Sequence, residues 1–464
     1  MRQNEAVDRG IAGLRDLEDR RIAVLGAGRE GLSAARLLLE RLGHARVSLL
    51  SETEPAPRRL RALEALPGLE LRVESGAFAS LGEFEVLLRS PGINAYRAEL
   101  TKARASGVIV TSLTDLFLAE HRRDTVIAVT GTKGKSTTAS LLALALRAAG
   151  RPCVLAGNIG TPVFDAEGSD EVDTFVLEVS SYQACDLRHG PRITVLTELY
   201  PEHLDWHGGV EAYYRDKLRL LERTEPGPVL VNAGNAEALR RTTRIPHRVL
   251  YADPSGVHLR GDSLWVRNTP IGELGPLLLP GAHQRADLCG ALAAVEALGL
   301  DPRSGLAGVA SFPGLPHRQH TIARFGGVEF VDDSLSTIPQ STAHALRTLA
   351  KRPVAVIVGG RDRGVDLAPL IEELRGPQVR RVALVSETGP AIGRALQAAR
   401  AGGEGPDLRL ASDLDEAVAF CTAGLPAGGV VLLSPAAASG DEHQDAFERG
   451  AAFARAVERL RCGP

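Results

Sequence analysis

Lysine is nearly absent from this chain. Among 54 Lys and Arg residues in 464, lysine occurs only at positions 102, 133, 135, 217 and 351. Arginine holds the generic basic positions, so a lysine that persists points to a need for a primary amine rather than for charge alone. Cysteine is sparse too. The five cysteines, at 153, 185, 289, 421 and 462, form no C-x-x-C. That excludes a disulfide framework and a cysteine zinc site, and it fits a reducing compartment. No apolar run reaches the length of about 18 residues that marks a membrane helix. The segment MRQNEAVDRG lacks the apolar stretch of a signal peptide. The expected location is therefore the cytoplasm, with no membrane partner. Neither sign of charge dominates: the net charge is -3. Nothing calls for a polyanion, and no nucleic-acid partner is expected. Short-period repeats, low-complexity tracts and coiled-coil heptads are also missing.

What is present reads as a globular α/β protein, 44% hydrophobic and 24% charged. Its length suggests about three domains at ~150 residues each. Two of the scarce lysines share one loop, Thr130-Gly131-Thr132-Lys133-Gly134-Lys135-Ser136-Thr137-Thr138. An apolar run, Val126 to Val129, precedes it and an Ala/Leu-rich run, Ala139 to Leu146, follows. Strand, glycine turn and helix aim backbone N–H groups at phosphate. Lys135 can reach β- and γ-phosphates, and the Ser136 hydroxyl can ligate Mg²⁺. The match is partial, because a full phosphate-loop pattern has glycine where Val129 stands. The competing reading is a plain glycine turn with incidental lysines.

The pattern divides into three α/β segments, at 1–113, 114–314 and 315–464. In the first, strands are expected at Arg21 to Leu25, Arg46 to Leu50, Glu85 to Leu88 and Val108 to Val110. Gly26-Ala27-Gly28-Arg29-Glu30-Gly31 is a G-x-G-x-x-G turn, and Ser51-Glu52 stands where a Rossmann fold places a ribose-binding acid. NAD, another nucleotide such as UDP, and an empty close-packed turn all fit. Ser90-Pro91-Gly92-Ile93 follows a strand at the same sheet edge and can close on a ligand there.

In the second segment, strands are expected at Thr174 to Val179, Ile193 to Leu196 and Val229 to Val231. A β insertion is expected from Arg248 to Pro270 and a helix from Gln284 to Leu298. The third segment alternates strands at Val328 to Val331, Val354 to Val358, Arg381 to Val385 and Gly429 to Leu433 with helices. A mostly parallel sheet follows. Ser311 to Pro316 has linker composition.

Glu178, at the end of a strand, is a candidate Mg²⁺ ligand beside Ser136; the alternative is a capping carboxylate. Glu202-His203-Leu204-Asp205-Trp206-His207 is a polar cluster after the next strand. His203 can hold a metal or a phosphate, or be an ordinary surface histidine. Lys217 can react with CO₂ to form a carbamate, a carboxylate-like metal ligand unavailable to arginine. Its alternative is an exposed helix lysine.

Taken together these motifs resemble the Mur ligases, the ATP-dependent amide ligases of peptidoglycan precursor synthesis. The phosphate loop, Gly157-Asn158-Ile159-Gly160, Glu178-Val-Ser-Ser-Tyr-Gln183, Glu202-His203, Lys217, Gly281-Ala-His283, Leu315-Pro-His317-Arg318 and Asp333-Ser334 carry the likeness. Leu432-Leu-Ser-Pro-Ala436 with Ser439 resembles the branch that adds glutamate to UDP-N-acetylmuramoyl-L-alanine. The resemblance implies a Rossmann-like domain for the UDP substrate, a phosphate-loop ATP domain and a Rossmann-like glutamate domain. It implies UDP rather than NAD at the first loop, contacted by Gly28, Arg29, Glu30, Ser51, Ser90, Pro91, Gly92 and Asn158. ATP would meet Gly131, Thr132, Lys133, Gly134, Lys135, Ser136 and Thr137, with Arg318 and Asp333. Ser136 and Glu178 would hold one Mg²⁺, and His203 with carbamylated Lys217 a second. Glutamate would meet Thr337, Arg363 and Ser439. Lys135, Glu178, His203 and Lys217 are the expected catalytic residues, in a monomer acting on small molecules.

Some residues depart from the family pattern. Its adenine-side His-Asn-x-x-Asn reads His283-Gln284-Arg285-Ala286-Asp287 here. D-glutamate-adding enzymes usually have lysine after Asp-Ser, where this chain has Leu335. That loss favours the branch adding L-glutamate, with D-glutamate as the alternative. A NAD(P)-dependent oxidoreductase would leave the phosphate loop, Glu178 and Lys217 without a role. A non-catalytic nucleotide-binding module is the other competing class.

Overall fold

The protein is described from a computed structural model, which covers residues 11–167, 172–274, 282–310, 312, 314–362, 364–399, 405–439, 443 and 445–463. It forms two compact units, Met1–Phe312 and Pro313–Pro464.

The first unit holds two parallel sheets. Short runs rich in Val, Ile and Leu, covered on both faces, make them, as parallel sheets require. The first contains β1 (Ile22–Leu25), β2 (Val47–Ser51), β3 (Leu69–Val73), β4 (Val86–Arg89) and β5 (Ile109–Thr111), in the order β3-β2-β1-β4-β5. Strand order reverses between β1 and β4. The loops after those strands therefore meet at the carboxyl edge, where open α/β sheets take ligands. Ser90 Oγ donates to Gly26 O at 3.2 Å. A Cβ on Gly31 would lie 1.9 Å from Gly26 O, so only glycine permits this turn.

The second sheet contains β6 (Thr125–Thr130), β7 (Val154–Gly157), β8 (Thr174–Glu178), β9 (Ile193–Leu196), β10 (Val229–Asn232) and β11 (Arg248–Tyr251). Its order is β11-β10-β9-β6-β8-β7, parallel throughout. The expected β insertion therefore needs correction at its start. Residues Arg248–Tyr251 extend the main sheet. Only β12 (Val257–Arg260), β13 (Ser263–Val266) and β14 (Thr269–Glu273) form the small antiparallel sheet.

Arg89 joins the two parallel sheets of this unit. Its side chain is fully buried. The guanidinium grips Asp186 with two bonds, of 2.8 and 2.9 Å. It also donates to the carbonyls of Tyr182 at 2.8 Å and Ile93 at 2.8 Å. Arg89 ends a strand of the first sheet, whereas Tyr182 and Asp186 follow β8 of the second.

The second unit holds one sheet. Its strands are β15 (His320–Phe325), β16 (Val328–Asp332), β17 (Val354–Val358), β18 (Val379–Leu384), β19 (Asp407–Leu410) and β20 (Val430–Leu433). They run β15-β16-β20-β17-β18-β19, with β15 alone antiparallel. A helix at Ala446–Cys462 packs Phe453, Ala456 and Val457 into the core. Among the described residues no helix is long and apolar enough to cross a membrane.

Arg89→Ala should destabilise the first unit by about 3–5 kcal/mol, because it leaves Asp186 without its buried partner. Urea denaturation followed by tryptophan fluorescence measures this, since both tryptophans, Trp206 and Trp265, lie in that unit. A change below about 1 kcal/mol would mean the sheets are joined by apolar packing instead.

Candidate active site

The phosphate loop turns where β6 ends. Gly131 has φ 150° and Gly134 φ 83°, and the helix Lys135–Ala148 begins directly after. Neither glycine tolerates a side chain. A Cβ on Gly131 would lie 2.0 Å from Thr197 Oγ1, and one on Gly134 2.3 Å from Asp287 Oδ1. Side chains from the strand ends hold the loop. Thr197 Oγ1 donates to Thr130 O at 3.1 Å and to Lys133 O at 2.5 Å. Thr132 Oγ1 bonds Tyr200 O at 2.8 Å and Tyr213 Oη at 2.7 Å.

The two loop lysines behave differently. Lys133 is half-exposed and pairs with Glu202 at 2.8 Å. Lys135 Nζ donates to Thr132 O at 3.0 Å, folding over its own loop. Lys217, on the helix Val210–Glu222, reaches the same loop from behind. Its Nζ is buried and donates to Gly131 O at 2.8 Å. Burial holds this amine well below the ordinary lysine range, and the nearby Lys135 charge pushes the same way. Glu202 and Glu178 oppose the shift.

Glu178 closes β8 and is buried. Asn158 Nδ2 donates to its Oε1 at 2.7 Å. Its Oε2 is buried with no hydrogen-bond partner among the described residues. The same stretch meets the first sheet's loops. Gln183 donates to Glu30 Oε1 at 2.8 Å while its own Oε1 accepts from Ser180 N at 2.9 Å. Arg29 donates to Gly160 O at 2.8 Å. Burial raises Glu30 to about 7, against the Gln183 bond and the charges of Arg89 and Arg29. Arg89 also donates to Ser90 O at 3.2 Å and Pro91 O at 3.4 Å, fixing the loop that contains Gly92. Ser51 is buried and donates to Thr53 O at 2.7 Å.

His203 stands in the left-handed region, φ 55°, with its ring 4.9 Å from that of Tyr182. Burial lowers its pKa, with Glu202 acting in the other direction. Among the described residues no three His, Cys, Asp or Glu side chains converge as a metal cluster.

In the second unit, Asp333 is buried and accepts from Ser336 at 2.6 Å, Ser434 at 2.7 Å and Gln319 N at 3.1 Å. Burial raises it to about 6. Arg318 N donates to Leu315 O at 3.3 Å. A cavity of about 300 Å³ is lined by Thr337, Ile338, Arg361, Thr388 and Ala438, among others. Ser439 directly follows Ala438, whose carbonyl accepts from Arg361 N at 2.8 Å. Leu335 is half-buried and donates its N–H to His317 O at 3.1 Å. Arg363, Gly281 and the His283 side chain lie outside the described residues.

The structural roles of five residues were not read from the sequence: Thr197, Tyr213, Asp287, His207 and Asp216. Each acts through tertiary contacts that no spacing encodes. Asp287 left one trace, as a departure from the family pattern.

A glycine loop on a central parallel strand, backed by a buried lysine and an acid on the neighbouring strand, defines a phosphate-loop α/β nucleotide-binding protein. Residues 20–112 match the Mur ligase MurD-like N-terminal domain, 129–264 the Mur ligase middle domain and 317–437 the Mur ligase glutamate ligase domain. The chain belongs to the Mur ligase family and has its three-domain α/β architecture. It is 40% identical to a UDP-N-acetylmuramoyl-L-alanine–L-glutamate ligase of Xanthomonas euvesicatoria pv. vesicatoria over 452 residues, 95% of each chain. A Micromonospora ligase of the same name is 40% identical, over 96% of this chain and 98% of its own. Among solved structures, a UDP-N-acetylmuramate–alanine ligase from Thermotoga maritima shares the fold with TM-score 0.60 at 19% identity, covering 96% of this chain and 99% of that one. A MurF ligase from Thermotoga maritima in complex with ADP follows with TM-score 0.54 at 15% identity, over 98% and 99%.

Burial raises Asp287 from 3.8 to about 8, and the Glu198 charge adds to the shift. Below the lower value both folded and unfolded chains carry the proton. Between the two values only the unfolded chain loses it, so this acid costs stability increasingly as pH rises. Asp287→Asn removes that cost. In nucleotide-free protein, the melting temperature of the variant minus that of the parent should grow more positive from pH 5 to pH 8. A difference independent of pH would show that Asp287 is ionised in the fold.

Proposed function

We propose that this protein is an ATP-dependent ligase that joins glutamate, as the L enantiomer, to UDP-N-acetylmuramoyl-L-alanine. It would act as a cytoplasmic monomer in peptidoglycan precursor synthesis. The observation that carries the reading is the buried Lys217 amine on the Gly131 carbonyl, within the glycine loop that runs from β6 into the helix Lys135–Ala148. The glutamate ligases to which the chain is similar support the substrate assignment. On this reading residues 1–113 hold the UDP substrate through Gly28, Arg29, Glu30, Ser51, the Ser90 to Gly92 loop and Asn158. Residues 114–314 hold ATP and residues 315–464 hold glutamate.

The residues fit a divalent cation at one point. Glu178 has one oxygen bonded to Asn158 and the other buried without a partner among the described residues, as a metal ligand requires. Ser136 stands at the start of the phosphate-loop helix, where a hydroxyl and phosphate oxygens complete such a site. His203 and carbamylated Lys217 would hold a second ion. Carbamylation leaves one hydrogen on Nζ, so the bond to Gly131 O survives it. Bound Mg²⁺ supplies neutralisation of charge on the transferred phosphoryl group.

The chain's own groups then act in order. Loop N–H groups and Lys135 orient the triphosphate and stabilise the charge that develops as the substrate carboxylate attacks the γ-phosphorus. The product is an acyl phosphate with ADP leaving. The glutamate amine adds to the acyl carbon, loses a proton, and inorganic phosphate leaves as the amide forms. Thr337, Arg363, Arg318, Asp333 and Ser439 serve the glutamate and nucleotide from the third domain. The test is ADP release: it should require both UDP-N-acetylmuramoyl-L-alanine and glutamate. Release independent of either would remove the ligase reading.

Lys217→Arg should be as inactive as Lys217→Ala although it keeps the charge, and short carboxylic acids should partly restore the alanine variant. Steady-state turnover decides this. An active arginine variant would make charge, not the primary amine, the requirement.

L-glutamate should be used about ten- to a hundredfold better than D-glutamate. Enantiomers carry the same groups, so only partner positions separate them, and one charge-assisted hydrogen bond is worth about 1.5–3 kcal/mol. The chain has Leu335 where D-glutamate-adding enzymes usually have lysine, and Arg361 lines the nearby cavity. Phosphate release with each enantiomer at equal concentration measures the ratio. Preference for D-glutamate would reverse the assignment of stereochemistry and leave the ligase intact.

A further inference from the structure

His207, Asp216 and Ser181 make a buried hydrogen-bonded chain that the reaction above does not use. His207 Nδ1 lies 2.6 Å from Asp216 Oδ2, and Nε2 lies 3.0 Å from Ser181 Oγ. The order is that of a serine hydrolase triad, but the nucleophile of such a triad must meet substrate. Ser181 is 3% exposed and His207 3%, with the Tyr182 ring stacked over the imidazole at 5.6 Å. No substrate reaches this serine. The chain instead continues to Tyr96, whose hydroxyl donates to the other oxygen of Asp216. Tyr96 belongs to the loop after β4 that begins at Ser90. Asn94 reinforces that loop, accepting from Tyr96 N at 2.8 Å and donating to Trp206 O at 2.8 Å.

The next residue after Asp216 is Lys217. Consecutive residues on one helical turn cannot move independently. Asp216 is held by Tyr96 and His207, while Lys217 is held on Gly131 O. Ser181, at the far end of the chain, starts the short helix that follows Glu178 by three residues. The network therefore touches the 90–96 loop, the segment after Glu178 and the helix turn bearing Lys217.

We propose that Tyr96, Asp216, His207 and Ser181 form a positioning network that couples occupancy of the 90–92 loop to the placement of Lys217 on the phosphate loop. The UDP-bearing substrate and the nucleotide then favour each other's binding. This rests on the assignment of those two loops to those two ligands under the proposed function. None of the four side chains is a catalytic residue; they act through Lys217.

Coupling between two ligands is reciprocal and typically worth five- to 150-fold, roughly, in affinity. The experiment is calorimetric titration of UDP-N-acetylmuramoyl-L-alanine and a non-hydrolysable ATP analogue with Mg²⁺, each alone and each in saturating presence of the other. The parent protein should show at least about fivefold mutual enhancement. Tyr96→Phe removes one hydroxyl from a half-exposed ring. It should keep its melting temperature and its affinity for each ligand alone, and lose the enhancement. Asp216→Asn, if folded by the same melt, should lose it too. Enhancement in Tyr96→Phe equal to the parent's would overturn the network while leaving the ligase reading in place. A parent that binds neither ligand would overturn both.

Discussion

The bond from Lys217 Nζ to Gly131 O is the constraint on which the rest of the site depends. It places a buried amine directly against the glycine loop that joins β6 to the helix Lys135–Ala148. Among the described residues no carboxylate lies within ion-pair distance of it, and the Tyr213 ring sits 5.4 Å away. Desolvation of an ammonium in such surroundings favours the neutral amine. Arginine could not meet this demand, because its guanidinium stays protonated. Lys217 is the one lysine of the helix Val210–Glu222, in a chain that carries most of its basic charge on arginine. The Asp216 network fixes the helix on one side and the loop's own threonine bonds fix the other, so Nζ has little freedom.

The same logic runs through the buried acids. Asp287 behind Gly134, Glu30 in the first glycine turn and Asp333 in the second unit all have raised pKa values, about 8, 7 and 6. Burial is the leading cause in each. Glu178 is distinguished by its bonding: one oxygen is bonded to Asn158, and the other is buried without a partner among the described residues. Glu30 also bears on the first loop. Its buried carboxyl accepts from Gln183 at 2.8 Å, which ties the first glycine turn to the segment after Glu178. The G-x-G-x-x-G pattern marks close strand–helix packing at Gly31.

Much of this was legible in the sequence, for identifiable reasons. Buried parallel strands such as β6 and β17 are largely apolar runs, and glycine turns follow β1 and β6. Scarcity of lysine singled out Lys135 and Lys217 before any geometry was known. What escaped lacked a local signature. β3 carries Glu70 and Arg72 in a half-buried edge, and β19 exposes Leu410 at 60%. Residues Arg248–Tyr251 resembled an insertion because turns flank them, yet hydrogen bonds to β10 place them in the main sheet. The His207–Asp216 pair is nine residues apart with no motif spacing. Its meaning depends on Ser181 and Tyr96, which only the fold brings near.

On the proposed function, Lys217 would serve as a carbamylated amine and not as a charge. The most direct measurement is ¹³C NMR of the protein equilibrated with ¹³C-bicarbonate. One carbamate carbon signal is expected in the parent, broadened when Mn²⁺ replaces Mg²⁺, and absent from Lys217→Ala. No carbamate signal in the parent, or the same signal persisting in Lys217→Ala, would contradict it.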